Sequence, residues 1–361
     1  MEQLRTTPLT SWHHAAKAKM APFAGFDMPV QYEGIMAEHA QTRTKACVFD
    51  ICHMGEFRLE GPGAKDALNR VVTQDMDTLA PGKCRYGFLL NEQGGILDDL
   101  IIYCLGTDRY MLVVNGACEE NDFSWIKDRL GTGPSFENIS STTGKIDLQG
   151  PESLDVLEAV VGGSWRELKY FSFVETTWRG KPLIVSRTGY TGELGYEFYL
   201  GWDQTPTLWE SLLADARVKP GGLGARDTLR LELGYPLYGQ DLDTAHTPVE
   251  AGYGAFLTKT GDYVGKAGLS TVREHLVPLR IDGRRSARHN DAVCLPSGEQ
   301  VGVVTSGSFA PSLGHCIALA YVRDGAEKNE AFVIKAARAE LPAVRAELPF
   351  YTQGSARKKL G

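Results

Sequence analysis

The sequence predicts an α+β protein that ends in a separate all-β domain, and three observations carry that expectation. A chain of 361 residues exceeds one ordinary hydrophobic core and suggests two or three domains. Three strand-like runs separated only by turns, residues 84–91, 94–106 and 109–117, lie between helical segments, which is the pattern of antiparallel strands under a helical layer. After about residue 276 helical periodicity fades, and short strands broken by Gly, Pro and Asn point to a terminal barrel or sandwich of about 80 residues.

In chain order, residues 34–46 read as a helix, "CVFDI" as a strand and residues 65–74 as a second helix between turns. The three strands follow, then the helical "EENDFSWIKDRLG". A second mixed segment contains the strand "KIDLQG", the helix "PESLDVLEAVVG", the strands "KPLIVSRTGY" and "GYEFYLG", and the helix "DQTPTLWESLLADA". Residues 1–275 are therefore expected to form two interleaved α+β domains, and residues 276–361 the terminal β domain. The 40 glycines punctuate this order with turns and do not gather into a linker.

Composition narrows the function. With 38 basic against 45 acidic residues the net charge is −7, which disfavours nucleic acid as the main partner and makes any anion site a local one. No apolar run approaches the roughly 20 residues of a membrane span. The seven cysteines include no C-x-x-C pair and several stand in apolar runs, as reduced buried cysteines do. The opening residues have neither an apolar signal core nor an amphipathic leader, so cytoplasmic residence is expected. The eight histidines show no metal-binding spacing, and no metal is expected.

Among candidate motifs, "GPGAKDAL" lacks the spacing and hydroxyl of a phosphate loop, and "GGLGARD" has Asp227 where a third dinucleotide-loop glycine would fall. What remains at the latter is a glycine turn opening a helix, with Arg226 in its first turn and aimed at something anionic or at solvent. "SRTGYTGELGYEFYL" sets glycines around Tyr190, Glu193, Tyr196 and Glu197: either a hairpin with a wide turn, or a place where backbone and an aromatic approach a flat heterocycle. The strongest chemical signal is "GGILDDLIIY". Asp98 and Asp99 interrupt opposite apolar rows of one strand, where an unpaired ionised carboxylate would be very costly. One of the pair is a structural acid or a chemical one.

At these residues the chain resembles the aminomethyltransferase (T-protein) family of the glycine cleavage system. The matching motifs run in order through nearly the whole length: "KMAPFAGFDMPVQY", "VFDICHMGEF", "NEQGGILDDLIIY", "LVVN", "LQGP", "SRTGYTGELGYE", "GLGARDTLRLE", "LYGQDLD" and "TSGSFAPSLG". The resemblance implies a three-lobed folate-binding fold closed by the C-terminal β-barrel. It also implies transfer of the methylene carbon of an aminomethyl-lipoyl carrier, the H-protein, to tetrahydrofolate, with release of ammonia. Asp99 matches the catalytic carboxylate, Glu197 the residue that grips the pterin, and Arg226 an arginine at the folate. Tyr86, Met54, Asn115 and Tyr190 match positions lining the pterin pocket. Arg288, Tyr351, Arg357, Lys358 and Lys359 are expected at the glutamate end, and Arg284, Arg285 and Arg288 at a docking patch for an acidic carrier. Two positions depart from the family pattern: Cys52 stands where Ser is usual, and Gly116 where Ala is common. Relatives on the same scaffold include demethylases and a non-catalytic folate-binding assembly factor, which are the alternative readings.

Overall fold

A computed structural model describes residues 3–360 and builds three bodies from this order. The first is a six-stranded sheet in which Phe173–Trp178, Lys181–Ser186, Gly195–Gly201, Thr143–Gln149 and Ala46–Asp50 pair antiparallel, and Val218–Gly221 adds a parallel edge. Period-two alternation gives this sheet two unlike faces. Ile146, Leu148, Tyr196, Phe198 and Leu200 join the core under helices Ser153–Val160 and Thr205–Leu213. Lys145, Asp147, Gln149, Glu197 and Tyr199 point the other way and are buried as well.

The second body is a five-stranded antiparallel sheet in the order Cys84–Leu90, Ile96–Gly106, Arg109–Val114, Gly55–Glu60, Ser135–Asn138. Helices Ala64–Val71 and Glu119–Leu130 cover one face, where Leu100, Ile102, Leu112 and Ile126 pack. The opposite face meets the six-stranded sheet through Tyr103, Met111, Val113, Phe173 and Tyr199. Beside that contact Leu242, Ala251 and Tyr263, from the irregular segment after helix Leu223–Glu232, pack on Phe88 and Ile96. The inward polar face of one sheet therefore lies against the second sheet and not against water.

The third body is a closed six-stranded barrel beginning at Glu274, in which Glu274–Ile281 pairs with both His315–Arg323 and Ala339–Arg345. It docks on helix Leu223–Glu232 through Leu231, Ala310, Ile317 and Leu319. Arg230, buried in that junction, bonds Asp241 at 2.7 Å and donates to Ser306 at 2.9 Å. The expected α+β region with a closing barrel is thus the observed fold. Sequence reading did not register the hairpin of Lys19–Phe23 and Phe26–Gln31, nor the strands Gly55–Glu60, Ser135–Asn138, Phe173–Trp178 and Val218–Gly221. All seven cysteines are free and buried.

Candidate active site

A cavity of about 630 Å³ opens where the two sheets diverge, a size suited to a small organic ligand. Strand Ile96–Gly106 supplies the feature that singled it out in the sequence. Its successive carboxylates leave by opposite faces: Asp98 is fully buried on the helix-covered side, and Asp99 lines the cavity. Asn115, just beyond the neighbouring strand, joins them. Its Nδ2 donates to Asp98 Oδ1 at 2.8 Å and to Asp99 Oδ1 at 2.9 Å. Burial, together with the charge of Asp98, pushes Asp99 up to about 7, while Asn115 and Tyr86 pull the other way. The Tyr86 hydroxyl, also on the cavity wall and within reach of Asp99, is buried with no geometrically good hydrogen-bond partner among the described residues, so a ligand atom there would satisfy it.

The facing wall comes from the six-stranded sheet. Glu197 is reached by Lys145 Nζ at 3.2 Å and by the Thr188 hydroxyl at 2.5 Å. Burial alone would raise its pKa, but Lys145, Thr188 and Arg226 outweigh burial and hold it below the usual carboxylate range. Arg226 donates to Asp147 at 2.5 Å and lies 5.1 Å from the Tyr190 ring centroid. Asp147 itself is pushed up to about 6 by burial and by the charge of Glu197, against the pull of Arg226. Tyr190 donates to the carbonyl of Pro236 and stacks on Tyr235 at 5.8 Å. This part of the sequence is also a wide-turned hairpin, since Ser186 pairs with Glu197. The hairpin reading of the glycine-rich stretch therefore holds, and its Tyr190 and Glu197 stand on the cavity wall.

Of the expected residues, Asp99, Glu197, Arg226, Tyr86, Met54, Asn115 and Tyr190 all line the one cavity. Arg357 does too, with its guanidinium 5.8 Å from the Tyr170 ring centroid, whereas Lys358 and Lys359 do not line it. Arg288 and Tyr351 are also outside its lining. Arg288 borders a separate cleft on the barrel, with Arg284, Arg285 and Arg338. The Tyr351 ring lies under the Arg43 guanidinium, 4.2 Å away, and its N–H donates to the Glu232 carbonyl. The resemblance led to the expectation of these two at the glutamate end; in this structure their contacts lie outside the cavity lining. Sequence reading missed Lys145, Tyr170, Tyr235, Tyr253 and Phe256. For Lys145 a signal existed: Lys145, Asp147 and Gln149 alternate with Ile146 and Leu148, and a polar row on a strand flanked by buried segments is a candidate site wall. The aromatics lie in irregular chain with no periodicity to read.

The two family departures meet in space. Cys52 Sγ contacts the Lys145 carbonyl at 3.2 Å. A Cβ added at Gly116 would fall 1.9 Å from the carbonyl oxygen of His53, the next residue. Glycine is required at 116 by this close approach, not by any special backbone angle.

Two α+β sheets enclosing a carboxylate-lined cavity, with a barrel docked against them, form an architecture that the family matches assign to the aminomethyltransferase class of one-carbon enzymes. Residues 9–261 match the GCVT N-terminal domain, and residues 275–352 match the glycine cleavage T-protein C-terminal barrel domain. An aminomethyltransferase of Halothermothrix orenii is 40% identical over 96% of this chain and 100% of its own length. One of a Synechococcus species is 43% identical over 96% of this chain and 98% of its own. The crystal structure of the glycine cleavage system aminomethyltransferase T from Bartonella henselae superposes with a TM-score of 0.92, at 34% identity over 98% of this chain and 99% of that one. The chain belongs to the glycine cleavage T-protein family and is an aminomethyltransferase.

Proposed function

We propose that the cavity binds tetrahydrofolate as co-substrate and receives the aminomethyl-bearing lipoyl arm of the glycine cleavage H-protein. Residues 1–275 would hold the folate and residues 276–361 close it in. In the reaction a pterin nitrogen bonds to the aminomethyl carbon as ammonia leaves, and the second folate nitrogen displaces sulfur. The two folate protons end on ammonia and the dihydrolipoyl thiol. Products are 5,10-methylenetetrahydrofolate, ammonia and the reduced carrier.

This chain's residues have distinct work in that scheme. Glu197, kept anionic by Lys145, accepts the pterin N–H groups. Tyr190 and Tyr86 bound the ring, and Arg357 offers a cation to the folate carboxylate end. Asp99 faces the reacting nitrogen and carbon, where it accepts a proton and stabilises positive charge as it develops. Holding both reactants in near-attack geometry supplies several kcal/mol, up to roughly 7–11 in ideal cases. The observation that carries the reading is a carboxylate without a counter-cation among the described residues, Asp99, on the wall opposite a carboxylate that has one.

The arginine cleft of Arg284, Arg285, Arg288 and Arg338 is our proposed docking surface for an acidic carrier. No helix among the described residues is long and apolar enough to cross a membrane, and cytoplasmic residence is part of the proposal. Mixing the protein with tetrahydrofolate and aminomethylated H-protein is the test. Ammonia and methylenetetrahydrofolate should appear in equal amounts; their absence with both reactants bound would reject the proposal.

A further inference from the structure

Behind Asp99, three side chains outside the cavity lining form a buried cluster. Asp98 Oδ2 accepts the main-chain N–H of Asn115 at 2.9 Å and Oδ1 accepts its Nδ2, so one asparagine spans Asp98 and Asp99. From the start of helix Glu119–Leu130, Cys118 and Asp122 close on Asp98, with one polar or sulfur atom of each residue within 4.8 Å of the others. Asp122 is 2% exposed, and its Oδ2 has no hydrogen-bond partner among the described residues. Two ionised carboxylates at this range away from water repel so strongly that one of them holds a proton. Asp98 already accepts two N–H groups and is the better anion. The proton therefore belongs on Asp122, whose carboxyl burial and the neighbouring Asp98 charge push far above the ordinary range.

We infer that Asp122 is a positioning residue for the transfer reaction: it remains a protonated acid, donates to Asp98, and so keeps Asp98 an acceptor that holds the Asn115 amide against Asp99. The inference rests on Asp99 being the reacting carboxylate. Without the Asp122 O–H, Asp98 takes the proton itself. One of its oxygens then becomes a donor and releases an Asn115 N–H, and Asp99 loses both its fixed partner and the adjacent charge.

Asp122→Asn retains an N–H donor and neutrality, and Asp122→Leu retains bulk alone. The Asn variant should keep kcat and folate KM within about twofold of the parent, with the same pH profile. The Leu variant should lose about tenfold or more in kcat with KM little changed, and the acid limb of its kcat profile should move to lower pH. A purely structural Asp122 would lower thermal stability without moving that limb. Parent-minus-Asn-variant infrared difference spectra of substrate-free protein well above neutral pH should show a protonated carboxyl band of Asp122, present in the parent and missing from the Asn variant, while the buried Glu56 carboxyl contributes equally to both and cancels. Absence of that band in the parent, a tenfold kcat loss in a folded Asn variant, or a parental pH profile in the Leu variant would each overturn the inference. Should the Leu variant not fold, the Asn variant and the band decide. The band is read without substrate, so a band that persists while Asp99→Asn turns over normally sinks only the Asp99 reading.

Discussion

The two walls of the cavity carry the same residue type in opposite electrostatic settings. On the six-stranded sheet, Glu197 and Asp147 are each within hydrogen-bond range of a buried or nearly buried cation, Lys145 or Arg226. On the five-stranded sheet, Asp98 and Asp99 share the donors of Asn115, and Asp122 closes on Asp98 from the covering helix, with no cation paired to any of the three among the described residues. Burial acts on all of them, so the neighbours decide the outcome. Glu197 falls below the carboxylate range while Asp99 rises to about 7. A fixed negative charge suits binding, whereas an acid that gains and loses a proton near neutrality suits chemistry. Asp147, at about 6 despite Arg226, shows burial and the charge of Glu197 together outweighing the nearby cations.

The comparison breaks most sharply at Asp99. Asp99→Asn preserves shape and should lower turnover by roughly 10²–10⁴-fold. Folate affinity measured by calorimetry should stay within about threefold, because the gripping wall is intact. Equal losses in both would erase the division between walls. Lys145→Met attacks the other side. It leaves Glu197 buried without its cation, which should cost about 3–5 kcal/mol in denaturant unfolding. Glu197 should then titrate higher, and folate affinity should acquire a pH dependence that the parent lacks. A variant as stable as the parent would mean that the ion pair is not what keeps Glu197 anionic.

This division was partly visible in the sequence. Alternation within "ILDDLIIY" was enough to send Asp98 and Asp99 to opposite faces, because strand periodicity is local physics. Helix Leu223–Glu232, with Arg226 in its first turn, was likewise legible from its glycine turn. Lys145 was hidden for a different reason. A polar row on a strand ordinarily faces water, and only the stacking of the second sheet makes it interior. Tyr253, Phe256 and Arg357 reach the cavity from irregular chain, whose course depends on contacts far along the sequence. Arg288 and Tyr351, expected from the resemblance, lie outside this cavity's lining, Arg288 at a cleft on the barrel and Tyr351 under Arg43.

Glu197→Ala is the intermediate case, removing the anion while leaving Lys145 in place. Loss of a charge-assisted contact of about 1.5–3 kcal/mol should weaken folate binding by roughly 10- to 100-fold. An unchanged dissociation constant would remove Glu197 from the binding wall.

The smallest expected effect concerns stability, and its sign follows from linkage. The folded-state pKa of Asp99, about 7, is above its ordinary value of 3.8, so the folded protein binds that proton more tightly than the unfolded chain does. Stability from this group is fully present below the ordinary value and is lost as pH rises through about 7. Asp99→Asn carries no such dependence. The difference in thermal midpoint between the variant and the parent should therefore increase in the variant's favour from about pH 4 to about pH 7 and level off beyond, gaining roughly 4–6 °C. Asp98→Asn, by removing the charge beside Asp99, should lower the pH at which the acid limb of turnover begins. A midpoint difference flat across that range would mean that Asp99 titrates as an ordinary solvated acid. The unlike settings of the two walls would then have no consequence for proton transfer.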